Sequence, residues 1–147
     1  MASRDSAWYA ATMTEPAYTE LVDRAKRALK DADHFEAASL FHSAAVAAQQ
    51  AGLANERAYA LRHCAIAEIE NANFEKALGD ASEALGIYEA SGGGGSLNAA
   101  NTLRLVALAQ EGVGEGDRSV ENWQQARQIY EKHGIDEGVQ ECDAHLD

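Results

Sequence analysis

The chain has 147 residues, is 46% hydrophobic and carries a formal net charge of −12, values that suit one ordinary globular domain and exclude wholesale disorder. The acidic excess argues against nucleic acid as a partner, because phosphates would be repelled before any local contact formed. It suits solubility of an alanine-rich surface, and it accommodates a basic or amphipathic partner peptide.

Residues 1–15 read as an N-terminal arm or tail, in which Trp8, Tyr9 and Met13 either cover a neighbouring helix or form a loose segment. Residues 1–14 lack a basic start followed by a long apolar core, so no secretory signal is expected. Thr14 and Pro16 then read as the cap and first turn of a helix, where a missing N–H does no harm. Beyond Pro16 there is no further proline, and alanine makes up about a fifth of the chain, which favours helix throughout. Seven helices are predicted, at about 16–31, 34–51, 54–71, 74–90, 97–112, 117–133 and 136–146. The separators are Asp31-Ala32-Asp33, Gly52, Asn71-Ala72-Asn73, the glycines 92–95, residues 112–116 and Gly134. Short separators force antiparallel neighbours, so the helices pair as hairpins, and no stretch shows the period-2 alternation of a strand. The four glycines read as an enlarged loop inside one domain, since the helical pattern resumes at once after Ser96. The mostly apolar run 37–48 contains Ser39, His42 and Ser43 and is too short to span a bilayer, so no membrane partner is expected. Two isolated cysteines, Cys64 and Cys142, make no disulfide framework and point to a reducing, cytoplasmic setting.

The hairpins repeat. Phe35-Glu36-Ala37-Ala38 with Ala45 returns as Phe74-Glu75-Lys76-Ala77 with Ala84. Ala38, Ala77 and Ser119 form one column and Ala45, Ala84 and Ala126 another, at spacings of 39 to 42 residues. In the first helices Val22, Leu61 and Leu103 align, as do Ala28, Ala67 and Ala109, and Ala65 pairs with Ala107. Ile87-Tyr88-Glu89 and Ile129-Tyr130-Glu131 end two second helices alike. This set resembles the tetratricopeptide repeat (TPR) family, in a longer-period form than its usual 34 residues. Lys26 stands where that family prefers a small residue, and Ser119 with Gly116 makes the third repeat degenerate. The resemblance implies an all-α, right-handed superhelical array of about three helix-turn-helix hairpins plus a C-terminal capping helix. The domain would run over residues 16–147, with repeats at about 17–53, 54–95 and 96–134 and the cap at 135–147.

In this family the first helix of each hairpin lines a concave groove that takes a peptide. Carried over, the groove would present Glu20, Asp23, Arg24, Arg27 and Lys30 from the first repeat. Tyr59, Arg62, His63, Ile66 and Ile69 would follow from the second, and Asn101, Arg104, Leu105 and Leu108 from the third. Arg62 and Arg104 are equivalent positions on helices about 10 Å apart, a spacing suited to successive acidic groups. The alternative is that both are solvated charges paired with Glu70 or Glu111.

Chemistry is hard to find. His63 and Cys64 are adjacent and point about 100° apart on a helix, so they do not form a nucleophile–base pair. Cys64 falls on the packing stripe as a structural thiol. Cys142 and His145 offer two ligands where zinc wants three or four, and His34 and His42 lie two turns apart, so no metal and no cofactor is expected. The glycine run lacks the lysine of a phosphate loop. Trp123 replaces a smaller ring of the repeat core, and would mark a second interface only if exposed. The reading is a non-catalytic, protein- or peptide-binding module and not an enzyme. The alternatives are a self-associating homo-oligomer, in which the N-terminal arm or Trp123 fills a neighbour's groove, and a regulatory sensor for a small ligand.

Overall fold

The structure, a computed structural model, describes residues 17–147; the expected N-terminal arm and the Thr14–Pro16 helix start lie outside the described residues. Seven helices make up the described residues, with no strand among them. They are α1 (17–30), α2 (His34–Gln50), α3 (Ala54–Glu70), α4 (Phe74–Ala90), α5 (Leu97–Gly112), α6 (Gly116–Lys132) and α7 (Asp136–Leu146).

All six turns close in the same way. One residue takes a left-handed backbone, and the next donates its N–H to a carbonyl five residues back, as Leu53 does to Ala48 at 2.9 Å and Ile135 to Tyr130 at 2.9 Å. The left-handed residues are Gly52, Gly92, Gly114 and Gly134, but also Ala32 and Ala72, with φ of 56° and 57°. The aspartates and asparagines flanking those two alanines therefore do not take the strained position. Asp33 instead caps α2 by accepting from the Glu36 N–H at 3.1 Å. Only the first of the four consecutive glycines needs its conformational freedom. Ser96 then caps α5, accepting from the Ala99 N–H at 3.1 Å.

Each helix from α2 onward packs on the next in sequence, including α4 on α5 across the glycine run. The alanine columns do what small residues permit: Ala45, Ala84 and Ala126 are buried, as are Ala77 and Ser119, and the backbones approach closely over them. Val22, Leu61 and Leu103 fill the larger gaps, and Phe41 anchors the first core cluster against α1 and α3. Trp123 is fully buried at the centre of the last cluster, among Ala100, Leu103, Ala107 and Cys142, so it offers no interface. Its indole N–H donates to Glu111 at 3.2 Å.

The two phenylalanines sharing a sequence column part company. Phe74 lies against Gly112, where an added Cβ would sit 2.2 Å from the ring, whereas Phe35 is 79% exposed. Leu103 lies 42 residues past Leu61, and the same offset puts Glu70 in α3 where α5 has Gly112. The flat cradle that receives Phe74 is thus missing beside Phe35.

Candidate functional site

Helix α3 serves two faces. On one, Arg62 and Ile66, one turn apart, meet Asn101, Arg104 and Leu105 of α5. A cavity of about 410 Å³ lies between them, closed on the far side by Tyr130, Ile135, Glu137, Gly138 and Glu141. The capping helix α7 is therefore a groove wall as well as a cap. It comes close because Gly138 has no side chain: a Cβ there would lie 2.5 Å from the Tyr130 ring. Tyr130 in turn donates its hydroxyl to Asn101 at 2.7 Å. Burial pushes its phenol up to about 12, against the opposing pull of Arg104.

The two groove arginines differ in their partners. Arg104 pairs with Glu141, its Nε donating at 2.6 Å, and so is neutralised from α7 and not by Glu111 or Glu70. Arg62 has no carboxylate within ion-pair distance among the described residues. Its guanidinium sits 5.8 Å from the centre of the Tyr59 ring, and its Nε is buried with no hydrogen-bond partner. Glu111 is occupied elsewhere, by Trp123 and by His145 at 2.9 Å.

Five of the fourteen residues expected to line the groove thus gather in one cavity: Arg62, Ile66, Asn101, Arg104 and Leu105. Tyr59 instead lines a second cavity of about 470 Å³, shared with Tyr18, Val22, Asp23 and Lys26. Tyr18 donates to the Glu56 carbonyl at 3.1 Å there, and burial, helped by Glu56, raises its phenol to about 12. Arg24 and Arg27 are exposed on α1 outside the walls of both cavities; Lys26 takes the place over Tyr59, 5.8 Å from the ring centre. His63 turns to α2, stacking on Phe41 at 5.4 Å and against Tyr59 at 4.2 Å. Burial first, then Arg62 and Lys26, lower it to about 4, so it is a neutral packing ring near pH 7. Leu108 packs half-buried onto the Trp123 cluster. Sequence reasoning missed Tyr130, Glu137 and Glu141, because the groove was assigned to the first helices alone.

The opposite face of α3 carries Cys64 and Glu68, one turn apart, at the floor of the largest described cavity, about 830 Å³. Asp80 of α4 joins them, and one ligand atom from each of the three lies within 4.8 Å of the others. Glu68 is only 6% exposed, and its Oε1 has no hydrogen-bond partner. Burial, and then the Asp80 carboxylate, hold its carboxyl well above the usual carboxylate range. The Cys64 thiol donates to the Ala38 carbonyl at 3.3 Å and is pushed far above the ordinary thiol range, first by burial. The signal available in the sequence was Cys64 and Glu68 at i, i+4; Asp80 arrives from the next helix.

Among the described residues no helix is long and apolar enough to cross a membrane. No family model and no curated protein matches the chain. Among solved structures it is similar to a TPR-like protein from Chlorobium tepidum TLS, at 17% identity and a TM-score of 0.76, over 93% of this chain and 96% of that one. Likeness at that identity speaks for the fold alone: the chain has an all-α, TPR-like helical-repeat architecture.

Proposed function

We propose that this protein is a non-catalytic interaction module that holds a partner peptide or protein in the groove across α3, α5 and α7, with an acidic group of the partner seated at Arg62. The observation that carries this reading is the unequal state of the two groove arginines. Arg104 is already paired with Glu141, while Arg62, half-buried beside Tyr59 and hydrogen-bonded to Tyr88, has no carboxylate partner and its buried Nε has no acceptor. A cation so placed gains an acceptor when a carboxylate docks, and charge-assisted bonds of this kind are roughly twice as strong as neutral ones. Ile66, Leu105 and the Tyr59 ring supply apolar contact beside it, the mixture that peptide grooves use. The TPR-like fold, which exposes a long face relative to its core, supports the same use.

The test is an array of short acidic, neutral and basic peptides presented to the full chain, followed by calorimetry on the best binder. Arg62→Gln should weaken an acidic binder by about tenfold or more, since a hydrogen bond to a charged group is worth about 1.5–3 kcal/mol. Glu141→Gln should strengthen the same binder, because it frees Arg104. Binding that is indifferent to Arg62→Gln overturns the assignment.

A further inference from the structure

We propose that Cys64, Glu68 and Asp80 form a binding site for a divalent cation of the zinc class, on the face of α3 opposite the peptide groove. The three side chains converge from two helices at the floor of the largest described cavity. Convergence of acids with a thiol is not enough, since such clusters occur without ions. The second observation is that Glu68, more than nine-tenths buried within this cluster, leaves its fully covered Oε1 without a hydrogen-bond partner. A buried acceptor left unpaired is costly, and a cation at the cluster's centre would satisfy it.

The donor set selects the metal. A thiolate with two carboxylates suits zinc, whereas calcium takes six to eight oxygens and magnesium holds to octahedral oxygen. Around a tetrahedral zinc, sulfur at about 2.3 Å and oxygen at about 2.1 Å put ligand atoms about 3.4–3.6 Å apart. Ligand atoms now within 4.8 Å of each other are already near that spacing. Three protein ligands leave a fourth position open to water from the cavity. On binding, the Cys64 thiol and the Glu68 carboxyl each give a proton to solvent, the sulfur and the carboxylate bond the metal, and no oxidation state changes. Thiolate and two carboxylates then outweigh the dication by a single negative charge, and Lys76 on the same cavity wall balances it.

The experiment titrates the reduced, metal-free full chain with cobalt(II) alone. The expected result is a thiolate-to-cobalt charge-transfer band that saturates at one equivalent, disappears when zinc is added, survives Cys142→Ser and is lost in Cys64→Ser. Glu68→Gln and Asp80→Asn keep the side-chain shape, so they test the site even where Cys64→Ser fails to fold, as read from helical circular dichroism. Each should weaken zinc by at least about tenfold, since loss of even an outer-shell partner costs about 10–100-fold. The proposal is overturned by a folded parent that shows no such band, by a band that persists in folded Cys64→Ser, or by unchanged zinc affinity in both carboxamide variants. Peptide binding in the groove depends on none of these residues, so the two sites stand or fall separately.

Discussion

The two alanines held in left-handed backbone are the clearest strain in the molecule, and replacing both with glycine should stabilise it. Ala32 and Ala72 close their turns at φ of 56° and 57°, where the other four turns use glycine. An L-residue in that region costs about 1–2 kcal/mol through the clash of its Cβ with the backbone. Glycine removes the clash and returns about 0.4–1 kcal/mol through the greater freedom of its unfolded chain. The net gain is about 0.5–1 kcal/mol per turn. Both alanines are exposed, so no core packing is lost with the methyl groups. They belong to different turns, so the gains should nearly add, to about 1–2 kcal/mol for Ala32→Gly/Ala72→Gly. In a domain of this size that raises the melting temperature by about 3–6 °C. Urea and thermal unfolding followed by far-ultraviolet circular dichroism measure it. The mirror experiment is Gly52→Ala, where the added Cβ meets nothing within 4 Å and only backbone strain remains. That variant should lose about 1 kcal/mol. If the double glycine variant melts at or below the parent, the left-handed alanines are not a store of strain and the reasoning fails.

Two further perturbations follow from the same structure. Gly112→Ala drives a Cβ to 2.2 Å from the Phe74 ring and should cost about 1–3 kcal/mol despite better helix propensity, with Phe74→Leu restoring part of it. Gly86→Ala, open on all sides, should instead gain about 0.5–1 kcal/mol in the same urea titration. The tyrosines set an alkaline limit. Tyr18 and Tyr130 are raised to about 12, above the ordinary value of 10.0, chiefly by burial. The unfolded chain therefore loses these protons first as pH climbs, so their stabilisation is complete below pH 10 and is lost progressively towards 12. Tyr130→Phe should make the decline across that window shallower, and an identical slope would count against the burial argument.

The fold was legible because its determinants are local. Helix borders were set by turn chemistry, and the alanine columns identified which faces approach closely, so Ala45, Ala84 and Ala126 are buried as their spacing implied. Where the reading went astray, a neighbour from outside the segment decided the outcome. Phe35 and Phe74 begin their helices alike, yet only Phe74 finds a glycine waiting on the next helix. In the loops, Asp31, Asp33, Asn71 and Asn73 carry the side chains that tolerate left-handed backbone best, and the alanine between them takes it in both cases. The separation of three residues between helices fixes which position must turn, and residue preference does not override it.

The same logic separates the two groove arginines, and it is the reason a repeat alignment under-determines a site. Arg62 and Arg104 are equivalent by spacing, and both line one cavity. Their difference comes from α7, which pairs Glu141 with Arg104 but brings no carboxylate within ion-pair distance of Arg62, although its Glu137 lines the same cavity. Helix α7 buries little apolar surface, Cys142 being its one fully buried side chain. Val139 and Leu146 pack half-buried on the Trp123 cluster, His145 stacks on the Trp123 ring at 4.1 Å, and polar links join them: Arg104 to Glu141, Arg127 to Asp143 and His145 to Glu111. Partly exposed ion pairs contribute little individually. Helix α7 has fewer buried side chains than any helix from α2 to α6, and elements that admit ligands are drawn from such sparsely buried regions. The wall is held near by the Gly138–Tyr130 contact as well as by the Arg104–Glu141 pair, so Glu141→Gln tests whether Arg104 becomes available to an acidic ligand without removing the contact that brings α7 close.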